Sequence, residues 1–129
     1  MGKVLSEKRI KPDLIISSPA KRAFATAKYF ADELNFPEKE IIRDGNLYGG
    51  GVNDILKVIS EIDDKNENVM VFSHNPGLTD FSNFISDKQI DNIPTAGVVS
   101  LILRTEHWNK IAKKTCKLEF FEYPKKYIK

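Results

Sequence analysis

Two short segments carry the residue types that phosphate chemistry uses. The first, Ser17-Ser18-Pro19-Ala20-Lys21-Arg22-Ala23, follows the apolar run Leu14-Ile15-Ile16. The second, Ser73-His74-Asn75-Pro76-Gly77, follows Val69-Met70-Val71-Phe72. Each closes what reads as a buried strand and opens a helix. In open α/β sheets, ligands bind beyond the carboxyl ends of the strands. A helix start also offers free backbone N–H groups to an anion. Arg22 falls in a first helical turn, where the helix dipole disfavours a cation unless an anion sits beside it. His74 has an imidazole that can donate to a phosphoryl oxygen or act as acid, base or nucleophile. Taken singly, Arg22 reads as a surface arginine and His74 as a satisfied loop histidine. Taken together, at two strand ends, they form a candidate phosphate clamp.

The elements that must position them follow from periodicity. Ser18 is a candidate N-cap, with Pro19 at the first helical position. Ala20, Ala23, Phe24, Ala27, Phe30, Ala31 and Leu34 then recur at helical spacing. Ile41-Ile42 is a short apolar run, and Gly49-Gly50-Gly51 is a flexible turn into a helix face of Val52, Ile55, Leu56, Ile59 and Ile62. Leu78, Phe81 and Ile85 mark the helix after His74, Val98 to Leu103 reads as a strand, and Leu118, Phe120 and Phe121 lie in a last one. Met1 to Lys8 reads as the end of a helix, broken by Pro12. Strands alternating with helices, with near-continuous apolar runs in the strands, imply a three-layer α/β/α sandwich around a mostly parallel sheet.

Bulk properties narrow the class. A chain of 129 residues fits one domain over its whole length. The 20 Lys and Arg against 18 Asp and Glu are too even to imply nucleic acid. Lys125, Lys126 and Lys129 read as a solvated basic tail. The single cysteine, Cys116, excludes an intramolecular disulfide, and points to a reducing, cytoplasmic location. No stretch approaches the ~18 apolar residues of a membrane span, and no apolar leader opens the chain.

The same two segments carry a family resemblance. The Ser-Ser-Pro-Ala-Lys-Arg-Ala block with Thr26-Ala27 resembles the second motif of the histidine phosphatases. Val69 to Leu78, ending Ser-His-Asn-Pro-Gly-Leu, resembles the block with their second histidine. Thr95-Ala96-Gly97 and Phe120-Phe121-Glu122-Tyr123-Pro124-Lys125 resemble the phosphohistidine phosphatase, SixA-like branch. The resemblance runs from Met1 to about Tyr127. It implies a phosphoglycerate mutase-like fold and a reaction that uses no metal or cofactor. The substrate it implies is a phosphohistidine protein, or else a small phosphorylated molecule. Arg22 would grip the phosphate, His74 would bond the transferred phosphoryl group, and the backbone N–H of Asn75 would also contact it. Other branches place an acid after the equivalent of Leu47-Tyr48. Here Gly49-Gly50-Gly51 stands there, and neither Asp44 nor Asp54 has a positional claim to that role.

One part of the pattern is missing. Family members begin with a strand ending in Arg-His, whose histidine attacks phosphorus. This sequence holds two histidines, His74 and His107, and neither follows an arginine. His107, beside Trp108, reads as an exposed loop residue. The expectation is therefore a chain that begins inside the fold, lacks its first strand and nucleophile, and has little or no phosphatase activity. That strand lies near the middle of the family's sheet, so its loss would leave edges prone to association. Two other readings are a non-catalytic binder of phosphate or phosphoproteins, and a chain in which His74 itself is the nucleophile.

Overall fold

A computed structural model describes residues 1–127, so the Lys129 end of the basic segment lies outside the described residues. In chain order the elements are α1 (Gly2–Glu7), β1 (Leu14–Ser17), α2 (Lys21–Glu33), β2 (Ile42–Arg43), α3 (Val52–Ser60), β3 (Val69–Phe72), α4 (Gly77–Ile85), β4 (Val98–Leu103) and β5 (Cys116–Glu122). Short 3₁₀ turns occupy Glu38–Glu40, Gly45–Leu47, Trp108–Lys110 and Pro124–Tyr127. The helix at the start of the chain is present, but Pro12 does not end it. It stops at Lys8 and Arg9, where Arg9 turns left-handed at φ 59°. Ile10 N–H then donates back to the Leu5 carbonyl at 3.1 Å, a helix-closing bond of the usual kind.

β1 is the middle of a three-stranded parallel sheet ordered β2-β1-β3. It pairs with β3 from Leu14 opposite Val69 to Ser17 opposite Phe72. On its other side, Ile16 and Ser17 face Ile42 and Arg43. Asp13 pins the entry end: its Oδ2 accepts from the N–H groups of Glu67 and Asn68 at 2.8 and 2.9 Å. β4 and β5 form a separate antiparallel pair. The expected mostly parallel sheet is thus divided into two pieces.

Both pieces nevertheless share two helical layers. On one face, Ile16 of β1 packs with Ile55, Val58, Ile59, Phe81 and Ile85 of α3 and α4, and Val69, Val71, Leu101 and Leu103 close against that cluster. On the other face, Leu5, Phe30 and Leu34 of α1, α2 and its C-terminal end collect Met70, Phe72, Val98 and Phe120. Alternate residues of β3, and likewise of β4, therefore point to the same two layers. This is the three-layer sandwich, with a break in the strand layer between β3 and β4, which are not hydrogen-bonded to each other. A cavity of about 310 Å³ lies there, lined on one side by Asn66 to Asn68 and on the other by Ser100 to Leu103.

Polar groups fasten β4 and β5 to the rest. The β4–β5 register slips between Ser100 and Leu101, and Asp87 Oδ1 accepts from the displaced Leu118 N–H at 2.9 Å. Asp64 accepts from Trp108 N–H at 3.0 Å and contacts His107 Nδ1 at 2.7 Å. The indole Nε1 of Trp108 donates to the Asn66 carbonyl at 2.7 Å. His107 is therefore exposed, as expected, but not idle: it helps hold the β4–β5 connection against the approach to β3. The C-terminal lysines are not uniformly solvated either, because Lys126 Nζ bonds the buried Glu122 carboxylate at 3.0 Å. Cys116 is buried at the start of β5, and burial pushes its thiol above its ordinary value.

The two clasping carboxylates set a pH dependence. The Trp108 N–H, and then the His107 ring, hold Asp64 below its ordinary value of 3.8. The Leu118 N–H does the same for Asp87, aided by the Arg104 charge. A lowered folded pKa stabilises the fold above the unfolded value, and that gain is lost as pH falls through the folded value. Thermal stability should thus drop on acidification below about pH 4. Asp64→Asn and Asp87→Asn should each be less stable at neutral pH and show a flatter acid limb in a melting-temperature series.

Candidate functional site

The site is assembled where β1 and β3 end level with each other. One residue past the last ladder pair, Ser18 N–H still donates to the Phe72 carbonyl at 2.8 Å. Beyond that bond both chains must leave the sheet, and both do so with polar residues. Ser17 and Ser18 are fully buried, so their hydroxyls need partners inside the protein. Ser17 Oγ donates to the Ser18 carbonyl at 2.8 Å. Ser18 Oγ meets His74 Nε2 at 2.8 Å and accepts from Ala20 N–H at 3.2 Å. Ser18 was expected to cap the following helix. Instead that helix starts later, at Lys21 after Ala20, and Ser18 closes a two-residue turn and holds the histidine.

His74 is partly buried. With Nε2 committed to Ser18, its Nδ1 has no protein partner among the described residues. The ring is flanked edge-on by Tyr48, with centroids 6.1 Å apart at 75°. Asn75 follows, and its peptide bond to Pro76 is cis. The side chain of Asn75 does structural work. Nδ2 donates to the Ile93 carbonyl at 2.7 Å, and Oδ1 accepts from the Thr79 hydroxyl at 2.8 Å. Thr79 Oγ1 in turn accepts from Ile93 N–H at 3.1 Å. The segment before β4 is thereby tied to α4. The backbone N–H of Asn75 has no protein acceptor among the described residues.

Arg22 is the second residue of α2. It is exposed, and its guanidinium has no hydrogen bond or ion pair among the described residues. It lines a cavity of about 350 Å³ with Met1, Ala25, Thr26, Tyr29, Phe30 and Ala96. Ala96 holds a left-handed backbone at φ 60°, in a turn closed by Gly97 N–H on the Pro94 carbonyl at 2.8 Å. That conformation costs a non-glycine residue roughly 1–2 kcal/mol and occurs here beside a free cation. His74 does not line that cavity. The structure joins the His74 and Arg22 segments through Ser18 and leaves the guanidinium itself uncommitted.

The loop of residues 44–51 forms the remaining wall. Asp44 N–H donates to the Ser17 carbonyl at 2.9 Å, and Ser73 Oγ donates to the Leu47 carbonyl at 2.9 Å. Leu47 is fully buried. Gly49 takes φ +67°, and a Cβ on Gly77 would collide with the Gly50 carbonyl. Gly50 is thus packed against the start of α4, so the expected flexible turn is fitted at its middle residue, whereas a Cβ on Gly49 or Gly51 would meet open space. The carboxylates at its two ends are occupied: Asp44 Oδ1 accepts from Asn46 N–H at 2.9 Å, and Asp54 Oδ2, in the first turn of α3, from Gly51 N–H at 3.1 Å. Sequence reasoning missed two participants, Ser18 as the partner of His74 and Tyr48 at its side. Residue type alone gave no signal for either, since both roles depend on which loops meet. Among the described residues no group of three His, Cys, Asp or Glu is placed to hold a metal, and no helix is long and apolar enough to cross a membrane.

Comparison with known proteins places the fold. No family model matches the sequence, and no curated protein matches it either. Among solved structures, the protein histidine phosphatase SixA complexed with tungstate superposes with a TM-score of 0.80 at 19% identity, over 97% of this chain and 77% of its own. The proposed phosphohistidine phosphatase SixA from Nakamurella multipartitia gives 0.78 at 17% identity, over 95% of this chain and 77% of its own. Its counterpart from Agrobacterium tumefaciens gives 0.73 at 21%, over 95% and 75%. The chain has the fold of these phosphatases, which is the phosphoglycerate mutase-like fold that the sequence motifs imply.

The buried Ser18–His74 bond gives a direct test of the site's construction. Ser18→Ala should cost about 1–3 kcal/mol, the usual penalty for stranding a buried partner, read by urea unfolding. In the same variant the imidazole nitrogen shifts of His74 should move toward those of a free ring. Unchanged shifts would mean that the bond does not hold the histidine.

Proposed function

We propose that this chain supplies the phosphate-binding part of a phosphohistidine phosphatase. The observation that supports it most is the pair of strand ends joined by Ser18 and His74, with the Arg22 guanidinium left uncommitted in the first turn of the helix that leaves one of them. In this reading Arg22 grips two oxygens of a phosphoryl group, as guanidinium does well. His74 donates a hydrogen bond to a third oxygen from Nδ1, and the Asn75 N–H adds another. These contacts strengthen as negative charge gathers on the oxygens in the transition state.

The substrate class follows from what the site lacks. An alkoxide leaving group needs a proton from a general acid. The carboxylates that flank the Tyr48 loop, Asp44 and Asp54, are both engaged with backbone N–H groups. The imidazole of phosphohistidine leaves more readily, so a phosphoramidate on a protein histidine suits the site better than a sugar phosphate. The reaction would pass the phosphoryl group to an attacking histidine, releasing the substrate's imidazole, and water would then cleave the phosphoenzyme.

That attacking histidine is not among these 129 residues, which carry no Arg-His pair. We assign it to a strand lying between β3 and β4, where the two pieces of the sheet are not hydrogen-bonded to each other. The 129-residue chain alone then has little or no turnover. A second reading rests on the same missing pair: the chain is a non-catalytic relic that holds a phosphorylated protein. His74 as nucleophile fits less well, because Ser18 occupies one of its ring nitrogens and no second histidine lies nearby. The single reduced thiol suits a cytoplasmic protein.

The test is binding and turnover measured together. Inorganic phosphate should bind the chain, and Arg22→Ala should weaken it by roughly ten- to a hundredfold, the worth of a charged hydrogen-bonding pair. A phosphohistidine peptide should be hydrolysed only when an Arg-His strand precedes Met1 in the same polypeptide. Phosphate affinity that survives Arg22→Ala would remove the clamp. Binding without turnover in the extended chain would leave the relic reading. A phosphoramidate trapped on His74 would instead make His74 the nucleophile.

A further inference from the structure

Tyr48 is 68% exposed, the most open of the large hydrophobic side chains described. Its backbone is nevertheless held. On its N-terminal side, Leu47 is fully buried, and its carbonyl is held by the Ser73 hydroxyl. Tyr48 N–H donates to the Gly45 carbonyl at 3.1 Å, and Asp44 caps the turn through Asn46. On its C-terminal side, Gly50 is wedged against Gly77 at the start of α4. The backbone is fixed at both ends. The three glycines that follow carry no side chain to cover the ring.

The ring stands edge-on to His74, with centroids 6.1 Å apart at 75°. Because the side chain is mostly exposed, much of the ring surface is open beside His74. A fixed aromatic face next to a phosphate site suits a phosphorylated group that is itself planar. Imidazole is planar, and offset stacking on a phenol ring is favourable. A serine or threonine phosphate offers no ring to that surface.

We infer that Tyr48 is the specificity-determining residue of this site, an aromatic platform that receives the imidazole ring of a phosphohistidine side chain. The inference rests on the phosphohistidine reading above and adds to it the group that selects the ring. Arg22, His74 and the Asn75 N–H recognise the phosphoryl group, which every phosphorylated residue shares. Tyr48 recognises what the phosphoryl group is attached to.

Three probes separate these functions by calorimetry on the 129-residue chain: inorganic phosphate, a phosphoserine peptide, and the same peptide carrying non-hydrolysable phosphoryltriazolyl-alanine. Tyr48→Ala should weaken the triazolyl peptide by roughly three- to tenfold, the range expected for one lost aromatic pair. It should leave inorganic phosphate and the phosphoserine peptide unchanged. Tyr48→Phe should retain the preference, because the ring and not the hydroxyl carries it. The side chain is exposed, so Tyr48→Ala should melt with the unsubstituted protein; an equal melting temperature excludes misfolding as the cause. Equal loss for both peptides, or no loss for either, overturns the platform while leaving the phosphate clamp intact. Failure of the unsubstituted chain to bind inorganic phosphate would overturn the clamp itself, and the platform with it.

Discussion

The parallel register of β1 against β3 is the constraint on which the site depends. Four residues of each strand are paired, Leu14 to Ser17 against Val69 to Phe72, and Ser18 adds one more bond to Phe72. Because the ends are level, the first polar residues beyond each strand meet. A slip of one residue would turn Ile15 and Ile16 to the wrong layers, exposing one cluster and overfilling the other. It would also carry Ser18 out of reach of His74. The hydrophobic alternation that fixes the core therefore fixes the site as well. Asp13 adds a polar check at the opposite end by accepting from both Glu67 and Asn68.

From those two strand ends everything else in the site is suspended. α2 leaves from one and carries Arg22 in its first turn. α4 leaves from the other, and Asn75 uses its side chain to tether the segment before β4. The loop of residues 44–51 is hooked to β1 through the Ser17 carbonyl and to the β3 end through Ser73. Each hook satisfies a backbone or hydroxyl group that burial would otherwise leave unpaired. The site is therefore rigid through necessities of folding. The groups proposed to bind phosphate, Arg22, His74 Nδ1 and the Asn75 N–H, are those the fold did not need for itself.

Much of this was legible in the sequence, and the illegible part has a common cause. Strands and helices were readable where their apolar spacing is set by one buried face, as in Val69–Phe72 and the Ala23, Ala27, Ala31 stripe of α2. Arg22 and His74 could be singled out because each lies within five residues of the end of such a strand. Three roles were hidden: Ser18 reads locally as a cap, His107 as a loop residue, and Asn75 as a backbone contact. Their observed partners lie 56, 43 and 18 residues away. Periodicity reports local geometry, and these roles are decided by which distant loop arrives. Pro12 misled for the opposite reason, because Arg9 had already ended the helix by turning left-handed.

The division of the strand layer bears on how binding and catalysis relate in this protein. Both helical layers run past the discontinuity between β3 and β4, so the core does not require a strand there. Val69, Val71, Leu101 and Leu103 close on one cluster, and Met70, Phe72, Val98 and Phe120 on the other. The Trp108, His107 and Asp64 clasp joins the two sides at one end, and the Asn75, Thr79 and Ile93 network does so at the other. What stays open among the described residues is the backbone edge of β3, which ends two residues before His74. In the proposed reaction, a nucleophile delivered by a strand on that edge would arrive beside the phosphate site proposed at the ends of β1 and β3. Binding, in that reading, needs only the register of β1 and β3. Turnover, in the proposed reaction, needs one strand more.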